Sequence, residues 1–306
     1  MNAYLSDLES RRSPFDPPPV LIAGDSEPAL ARAARSVEAS GVRVADKVLV
    51  EAALERIDQQ ASASALWVEL ERDGGEPMDG LLARVNRDVA DGRYAAVISA
   101  HSSLVDVLAA RIDDSSIELI IDADDAERAA ALAVALASRN QPFRVADAAA
   151  EKNAARLRQL SDEVSRIAST LARLSAGPGA TIRPAEAPPA EVPEVSAETV
   201  RAVIRARRLR ARYFQDGLFA DPAWDMLLDL LQAEIAQLRV PVSSLCIAAA
   251  VPATTALRWL KSMTNQGMFV RRADPHDGRR VFVELAPETS IALRRYFAEV
   301  GKVAVI

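Results

Sequence analysis

The sequence predicts a multidomain protein with an α/β domain at its N-terminus, a central coiled-coil helix and a smaller α+β domain at its C-terminus. Five apolar, strand-like runs alternate with amphipathic helical segments between residues 20 and 140. A heptad pattern of apolar residues follows them, and after a proline-rich stretch the chain closes with several helical segments and one hairpin pattern. A length of 306 residues suits two domains.

The N-terminal domain is predicted to occupy residues 19–147, after a polar, proline-ended lead-in at 1–18. Strands that are continuously apolar are buried on both faces, which is typical of a parallel sheet covered by helices. Five such strand–helix units fit a flavodoxin-like, doubly wound fold. The strand-like runs are VLIAGD, VRVADKV, SALWVEL, YAAVISA and IELIIDA, which begin at residues 20, 42, 64, 94 and 117.

The segment 148–175 is predicted to be a coiled-coil dimerisation helix. Its apolar residues recur at alternating steps of three and four, which places them on an a/d seam. The predicted dimerisation residues are Leu157, Leu160, Val164, Ile167, Leu171 and Leu174. Polar Asn153 falls in the same series and suits a residue that sets the register. A single helix packed against its own domain is the alternative.

A linker predicted at 176–195, with five prolines and two glycines, separates two halves of opposite charge. Residues 1–150 contain 15 Lys and Arg against 26 Asp and Glu, a net charge of −11. Residues 197–306 contain 16 against 11, a net charge of +5. A basic C-terminal half is the electrostatic pattern expected of a nucleic-acid-binding domain.

Residues 196–306 contain helical segments followed by a hairpin pattern. Ser196 and Asp221-Pro222 are helix-start signals, and a short helix within 240–250 is predicted to be capped by Ser243 or Ser244. The next helix, 253–267, ends at a glycine, and two strands follow it around a tight turn. Helix, turn, second helix and hairpin make the pattern of a winged helix-turn-helix domain.

The hairpin and the helix before it resemble the MarR (multiple antibiotic resistance regulator) family of bacterial transcription regulators over about residues 197–303. The hairpin turn reads Asp274-Pro275-His276-Asp277-Gly278-Arg279 and continues into the alternating strand 281–285. Thr255, Arg258 and Gly267 match the recognition helix of that family. The chain departs from the family in ending its strand on Leu285-Ala286 rather than Leu-Thr, and in having an N-terminal α/β domain.

The resemblance implies binding of double-stranded DNA through the recognition helix and the hairpin wing. Helical spacing predicts that Ala256, Trp259, Leu260 and Met263 are buried, with polar residues opposite. Arginine can bind guanine through two hydrogen bonds, and hydroxyls can bind phosphates or base edges. The predicted DNA-binding residues are Thr254, Thr255, Arg258, Lys261, Ser262, Arg272, Arg279 and Arg280. The alternative is a winged helix whose charges are solvated and which contacts protein. The arginine-rich segment 201–212 fits either phosphate contacts or a solvated face.

The N-terminal domain resembles the receiver domain of response regulators, with features that imply lost phosphotransfer. Asp25 supplies one acid after the first strand, and Ser99 fits the hydroxyl position. Glu69 stands where the phospho-accepting Asp is expected, and no Lys follows the fifth strand. Two interpretations stay open: a degenerate scaffold for dimerisation, or a domain in which Glu69 maintains a permanently charged state.

Neither an enzyme nor a bound cofactor or metal is expected. The chain lacks a Gly-rich phosphate loop after the first strand, and it contains one cysteine, Cys246, which is expected to be a core residue. His101 and His276 fall in different predicted domains, and the serines beside His101 lack an evident third partner. With neither a signal peptide nor a membrane-spanning run, a cytoplasmic, nucleoid-associated protein is expected.

The predicted function is therefore a sequence-specific DNA-binding transcription regulator that acts as a homodimer and independently of phosphorylation. The alternative is a protein-interaction adaptor, in which the receiver-like domain and the winged helix bind regulatory partner proteins.

Overall fold

The computed structural model describes residues 18–60, 62–114, 116–140, 192–214 and 218–300. The predicted coiled-coil helix, 148–175, lies outside the described residues, as do residues 1–17 and most of the predicted linker. Within the described part of the chain, no single helix is both long and apolar enough to cross a membrane.

The first unit is a five-stranded parallel sheet with helices on both faces. Its strands are β1 Val20–Gly24, β2 Val44–Leu49, β3 Ala65–Leu70, β4 Ala95–Ala100 and β5 Glu118–Ile121. Its helices are α1 Glu27–Ala39, α2 Val50–Gln59, α3 Gly75–Ala90, α4 Val105–Arg111 and α5 Asp125–Asn140. The strand order is β2-β1-β3-β4-β5, with every neighbouring pair parallel. This is the flavodoxin-like order, so the predicted fold of this unit is confirmed.

Alternation along the central strand β3 explains how the sheet acquires two apolar faces. Leu66, Val68 and Leu70 pack with side chains of α2, α3 and α4. Ala65 and Trp67 pack on the other side with residues of α1 and α5. Because both faces of the sheet are covered, no side chain of β3 points into solvent. The one charged side chain of the strand, Glu69, must therefore be paired inside the protein.

The second unit has the elements of a winged helix. Its helices are α6 Ala197–Leu209, α7 Pro222–Ile235, α8 Val242–Ala248, α9 Ala253–Asn265 and α10 Pro287–Val300. Its strands are β6 Val240–Pro241, β7 Phe269–Ala273 and β8 Val281–Leu285, arranged in the antiparallel order β6-β8-β7. The β7–β8 hairpin is the predicted wing.

Two of the three predicted helix starts behave as expected. The Ser196 and Asp221 side chains accept hydrogen bonds from backbone N–H groups of α6 and α7. The prediction for α8 is wrong, because Pro241 precedes this helix and no side chain caps it. Ser243, predicted as a cap, instead bonds to Asp106 on α4 of the first unit.

Helices α8 and α9 form the helix-turn-helix. They are bent by 107° at the short turn between them, within the range expected for this motif. Ala250 in the turn has φ +54°, a left-handed conformation that few non-glycine residues adopt. Gly267, with φ +73°, follows the C-terminus of α9 and allows the chain to turn into β7.

The two units share one apolar core. Leu81 and Leu108 of the first unit belong to the same buried cluster as Leu230 and Leu260 of the second. Helix α4 packs against α8 and β8, and α9 packs against β5. The recognition helix therefore lies against an edge strand of the α/β sheet.

Candidate nucleic-acid interface

The recognition helix α9 is buried along a face that differs by one position from the predicted one. Ala256, Leu260 and Met263 are buried as predicted. Trp259 is 41% exposed, so its predicted burial is wrong, and Leu257 is buried instead. Leu257 faces the cavity between α9 and β5, so the first unit accounts for the burial of Leu257.

Thr254 was predicted on the exposed face of α9 and is instead buried against the first unit. Its hydroxyl accepts a hydrogen bond from the Ile121 N–H at 2.8 Å and donates to the Ile121 carbonyl at 3.3 Å. Ile121 belongs to β5, an edge strand with backbone groups that have no neighbouring strand. One side chain of the recognition helix thus satisfies both backbone groups of a residue at the sheet edge.

Arginines of α9 and the wing form ion pairs with acidic residues of the first unit. Arg258 on α9 lies 3.3 Å from a carboxylate oxygen of Glu118 on β5. Arg279 on the wing turn lies 2.6 Å from Asp73 and 3.2 Å from Asp79. All three of these pairs connect a predicted DNA-binding residue to the α/β unit.

Arg271, which was not among the predicted DNA-binding residues, makes a similar cross-unit pair. Its guanidinium lies 3.5 Å from Asp113. Arg271, Arg258 and Lys261 also line the same cavity. These three cations therefore lie on one surface of the second unit.

That cavity, of about 470 Å³, separates α9 from the end of α4 and from β5. Lys261 lies at its wall, where burial lowers the pKa of the ammonium although the carboxylates of Glu118 and Asp114 act to raise it. Ser262 also lines the cavity, and Thr255 is half-buried. The residues of the recognition helix therefore face the first unit partly across this cavity and not through continuous packing.

The wing turn is held by Asp277, whose carboxylate accepts a hydrogen bond from the Arg279 N–H at 3.0 Å. Its other oxygen lies 3.3 Å from Arg280. Arg272 pairs with Glu284 across the hairpin at 3.3 Å. Arg272 and Arg280 stay well exposed, with 64% and 63% of their side chains accessible.

The arginine-rich segment 201–212 contains at least one structural residue. Arg207 lies 2.6 Å from Asp225 and 3.8 Å from Asp221, so it ties α6 to the start of α7. Arg210 lies over the ring of Phe219 at 5.6 Å. Neither contact involves the recognition helix or the wing.

The receiver-like residue Asp25 is bonded inside the domain through one of its carboxylate oxygens. The Asp25 carboxylate accepts hydrogen bonds from the backbone N–H groups of Glu71 and Arg72 at 2.6 and 2.7 Å. It therefore holds the loop after β3, at the strand ends where α/β proteins commonly bind ligands. Ser99 is buried. Among the described residues, no group of three or more His, Cys, Asp or Glu side chains could hold a metal ion.

Glu69 does not present an open carboxylate. It is 2% exposed and accepts hydrogen bonds from Arg128 at 2.7 and 2.8 Å, from Trp67 at 2.9 Å and from Arg32 at 2.9 Å. Burial acts to raise the pKa of Glu69, but the bonds from Arg128 and Trp67 outweigh it and hold the pKa below its usual value. The carboxylate joins α1 and α5 to β3.

His101 and Cys246, two residue types that often carry chemistry, both have structural surroundings. His101 Nδ1 accepts a hydrogen bond from the Ser103 N–H and lies 2.8 Å from the Ser103 hydroxyl, as a cap of the turn Ser102–Leu104. The sequence suggested no third partner, yet an Asp122 oxygen lies 4.0 Å from His101 Nε2, beyond hydrogen-bonding distance. Cys246 is buried as predicted, and burial raises the pKa of its thiol to about 12.

Sequence reasoning missed the acidic residues of the first unit that contact the winged-helix unit. These are Asp73, Asp79, Asp106, Asp113 and Glu118. They are scattered over two loops, two helices and a strand, so no local motif marks them. The charge of −11 on the first half of the chain was the one available signal.

No family model matches the chain, and the curated proteins include no match to it. Solved structures similar to it include the adhesin competence repressor of Streptococcus pyogenes, with 16% identity, a TM-score of 0.22, and coverage of 35% of this chain and 74% of that one. A probable transcriptional regulator of Pseudomonas aeruginosa has 26% identity, a TM-score of 0.22, and coverage of 33% and 74%. S. aureus MepR, solved with ethidium bromide, has 15% identity, a TM-score of 0.23, and coverage of 35% and 75%.

Proposed function

We propose that this protein is a sequence-specific DNA-binding transcription regulator that acts as a homodimer at the nucleoid. One observation carries the proposal: the cations of the recognition helix and the adjoining hairpin lie on one surface. Arg258, Lys261 and Arg271 line one cavity, and Arg279 meets the same α/β unit from the wing. Most of these side chains belong to the winged-helix elements that enter or flank a DNA groove.

The chemistry of this surface suits DNA rather than a small substrate. Arg258 projects from α9 and is 61% exposed, so it can reach a guanine edge through two hydrogen bonds once the facing domain moves. Arg272 and Arg280 on the hairpin can neutralise phosphates without reading sequence.

The test is selection of binding sites from a random DNA pool, followed by titration of the selected site at increasing salt. We expect a defined sequence and a steep loss of affinity with salt, because phosphate neutralisation releases bound counterions. A protein that enriches no sequence and binds no DNA at about 50 mM salt would contradict the proposal.

The second candidate is a protein-interaction adaptor, and one observation favours it. The recognition helix and wing already contact protein, namely the first unit of the same chain, through Thr254, Arg258 and Arg279. Such an adaptor would be captured by partner proteins but would enrich no DNA. The same selection experiment therefore separates the two candidates.

We also propose that phosphorylation does not control the protein. Asp25 is bonded to a backbone loop and Glu69 to two arginines, so neither is placed to accept a phosphoryl group. Incubation with a small phosphodonor and Mg²⁺ is expected to leave both the intact mass and the affinity for selected DNA unchanged. A phosphorylated aspartate in the N-terminal domain would overturn this part of the proposal.

A further inference from the structure

We infer that the α/β domain is an autoinhibitory cap, whose acidic face takes the place of DNA phosphates on the recognition helix and wing. The inference rests on the proposed DNA-binding function and adds how that same surface is regulated. The acidic face is defined here as Asp73, Asp79, Asp113 and Glu118.

The contacts exclude DNA from the recognition helix. Thr254 at the first turn of α9 is buried and bonded to the Ile121 backbone at 2.8 Å. A winged helix inserts the N-terminal part of this helix into the major groove. Because β5 occupies that position, Thr254 cannot contact a major groove while the contact persists, and Arg258 beside it is paired with Glu118.

The charges on the acidic face match those that DNA would supply. Carboxylate oxygens lie 2.6 Å from Arg279, 3.3 Å from Arg258 and 3.5 Å from Arg271. Arg258 and Arg279 belong to the predicted DNA-binding set, and Arg271 lines the same cavity as Arg258. Phosphates and carboxylates bind guanidinium groups in the same way, so DNA and the acidic face compete for the same cations.

Part of the contact between the two units has the features of an interface that can open and close reversibly. It contains ion pairs with partly exposed arginines, and a cavity of about 470 Å³ interrupts it between α9 and β5. The contact is mixed in character, since the two units also bury apolar residues together, such as Leu108 and Leu260, and opening has to separate these as well. Opening would release the recognition helix and wing together, because both face the same domain.

The closed form reduces the apparent affinity for DNA by the fraction of molecules that are open. Substitutions that weaken the closed form without touching the cationic surface should therefore tighten DNA binding. We choose the triple variant D73N/D113N/E118Q in the full-length chain. Asn at position 73 retains an oxygen for the bond that Asp73 accepts from the Gly75 N–H.

The matched control is E27Q/E38Q/E51Q, which changes the net charge by the same amount. These three glutamates are exposed on α1 and α2, and none of them belongs to the acidic face. The control therefore reports how much affinity changes when the whole protein merely becomes less acidic. We expect the cap variant to bind the selected DNA about tenfold more tightly than the control variant, measured by fluorescence anisotropy.

A reversible lock tests the same inference from the opposite direction. Ser243 donates its hydroxyl hydrogen bond to Asp106 at 2.6 Å, so cysteines at these positions face each other across the two units. The lock is D106C/S243C in a C246A background, which removes the native thiol near Asp106. We expect the oxidised protein to lose at least nine-tenths of its DNA affinity and to regain it on reduction. The reduced protein shows that the variant is folded.

Two results would overturn the inference while leaving DNA binding intact. One is a cap variant that binds no more tightly than the control variant, and the other is an oxidised lock that binds as tightly as the reduced form. If neither the wild type, the cap variant nor the reduced lock enriches any DNA sequence, the proposed function itself fails, and the inference fails with it.

Discussion

Glu69 shows at the scale of a residue why a sequence position does not reveal a role. It was predicted to stand in the phospho-acceptor position, and its place at the end of β3 agrees with that. Its carboxylate, however, accepts hydrogen bonds from Arg128, Trp67 and Arg32. Those partners lie on β3 itself and on two helices, and spacing along the chain cannot show which side chains converge.

Glu69→Gln should destabilise the fold by about 3–5 kcal/mol, because it leaves a buried arginine without its counter-charge. The expected signal is a lower midpoint of urea unfolding. The control is Glu71→Gln, because Glu71 is 41% exposed and pairs with Arg32 at the surface. That control should lose less than about 1 kcal/mol.

The effect of Glu69→Gln should also depend on pH. The pKa of Glu69 in the folded protein lies below its usual value, so its stabilisation is present above that usual value, about 4.5. It is lost as the pH falls through the lowered pKa of the folded state. The difference in unfolding free energy between wild type and variant should therefore shrink in acid, and a difference that stays constant from pH 6 to pH 3 would contradict the assignment.

Arg258 is expected to read a base. Because Arg258 also pairs with Glu118, its substitution is best made in the Glu118→Gln background, where the closed form is already weakened. There, Arg258→Ala should cost about 1–3 kcal/mol of DNA-binding free energy and relax the preference at one base position. Arg295→Ala, an exposed arginine on α10, controls for the loss of one charge. Equal losses on selected and random DNA would make Arg258 a phosphate contact.

At the scale of elements, much could be predicted because local patterns determine strands and helix starts. The five apolar runs each became a parallel strand, and Ser196 and Asp221 cap their helices. The predicted burial of side chains on α9 was wrong at two positions, because Trp259 is exposed and Thr254 is buried. Helical periodicity identifies an apolar face, but the α/β domain covers a second face of α9 that a single helix cannot reveal.

The coiled-coil helix at 148–175 stays a prediction. Leu160→Asp with Ile167→Asp places two charges in the seam and should convert the dimer to a monomer, as measured by light scattering. The matched control, Ser165→Asp with Ser169→Asp, adds the same charges at positions outside the seam and should remain dimeric. If the seam variant stays dimeric, the dimer forms elsewhere in the chain.

At the scale of the whole molecule, the acidic and basic halves of the chain form ion pairs with each other. The sequence predicts DNA binding by the basic half and indicates no electrostatic role for the acidic half. In the structure the two halves meet, through pairs such as Arg279–Asp73 and Arg258–Glu118. The excess of acid was visible in the sequence, but its target was not, since the paired residues are 140 or more positions apart.

The most direct test of the account is a hydroxyl-radical footprint of the full-length protein at saturation on its selected DNA. A dimeric winged-helix regulator should protect two symmetric windows about one helical turn apart on the same face of the duplex. The protection should disappear with Arg258→Ala and Arg279→Ala combined. An even cleavage pattern at low salt, indistinguishable from that of free DNA, would contradict the claim that the recognition helix and wing bind DNA.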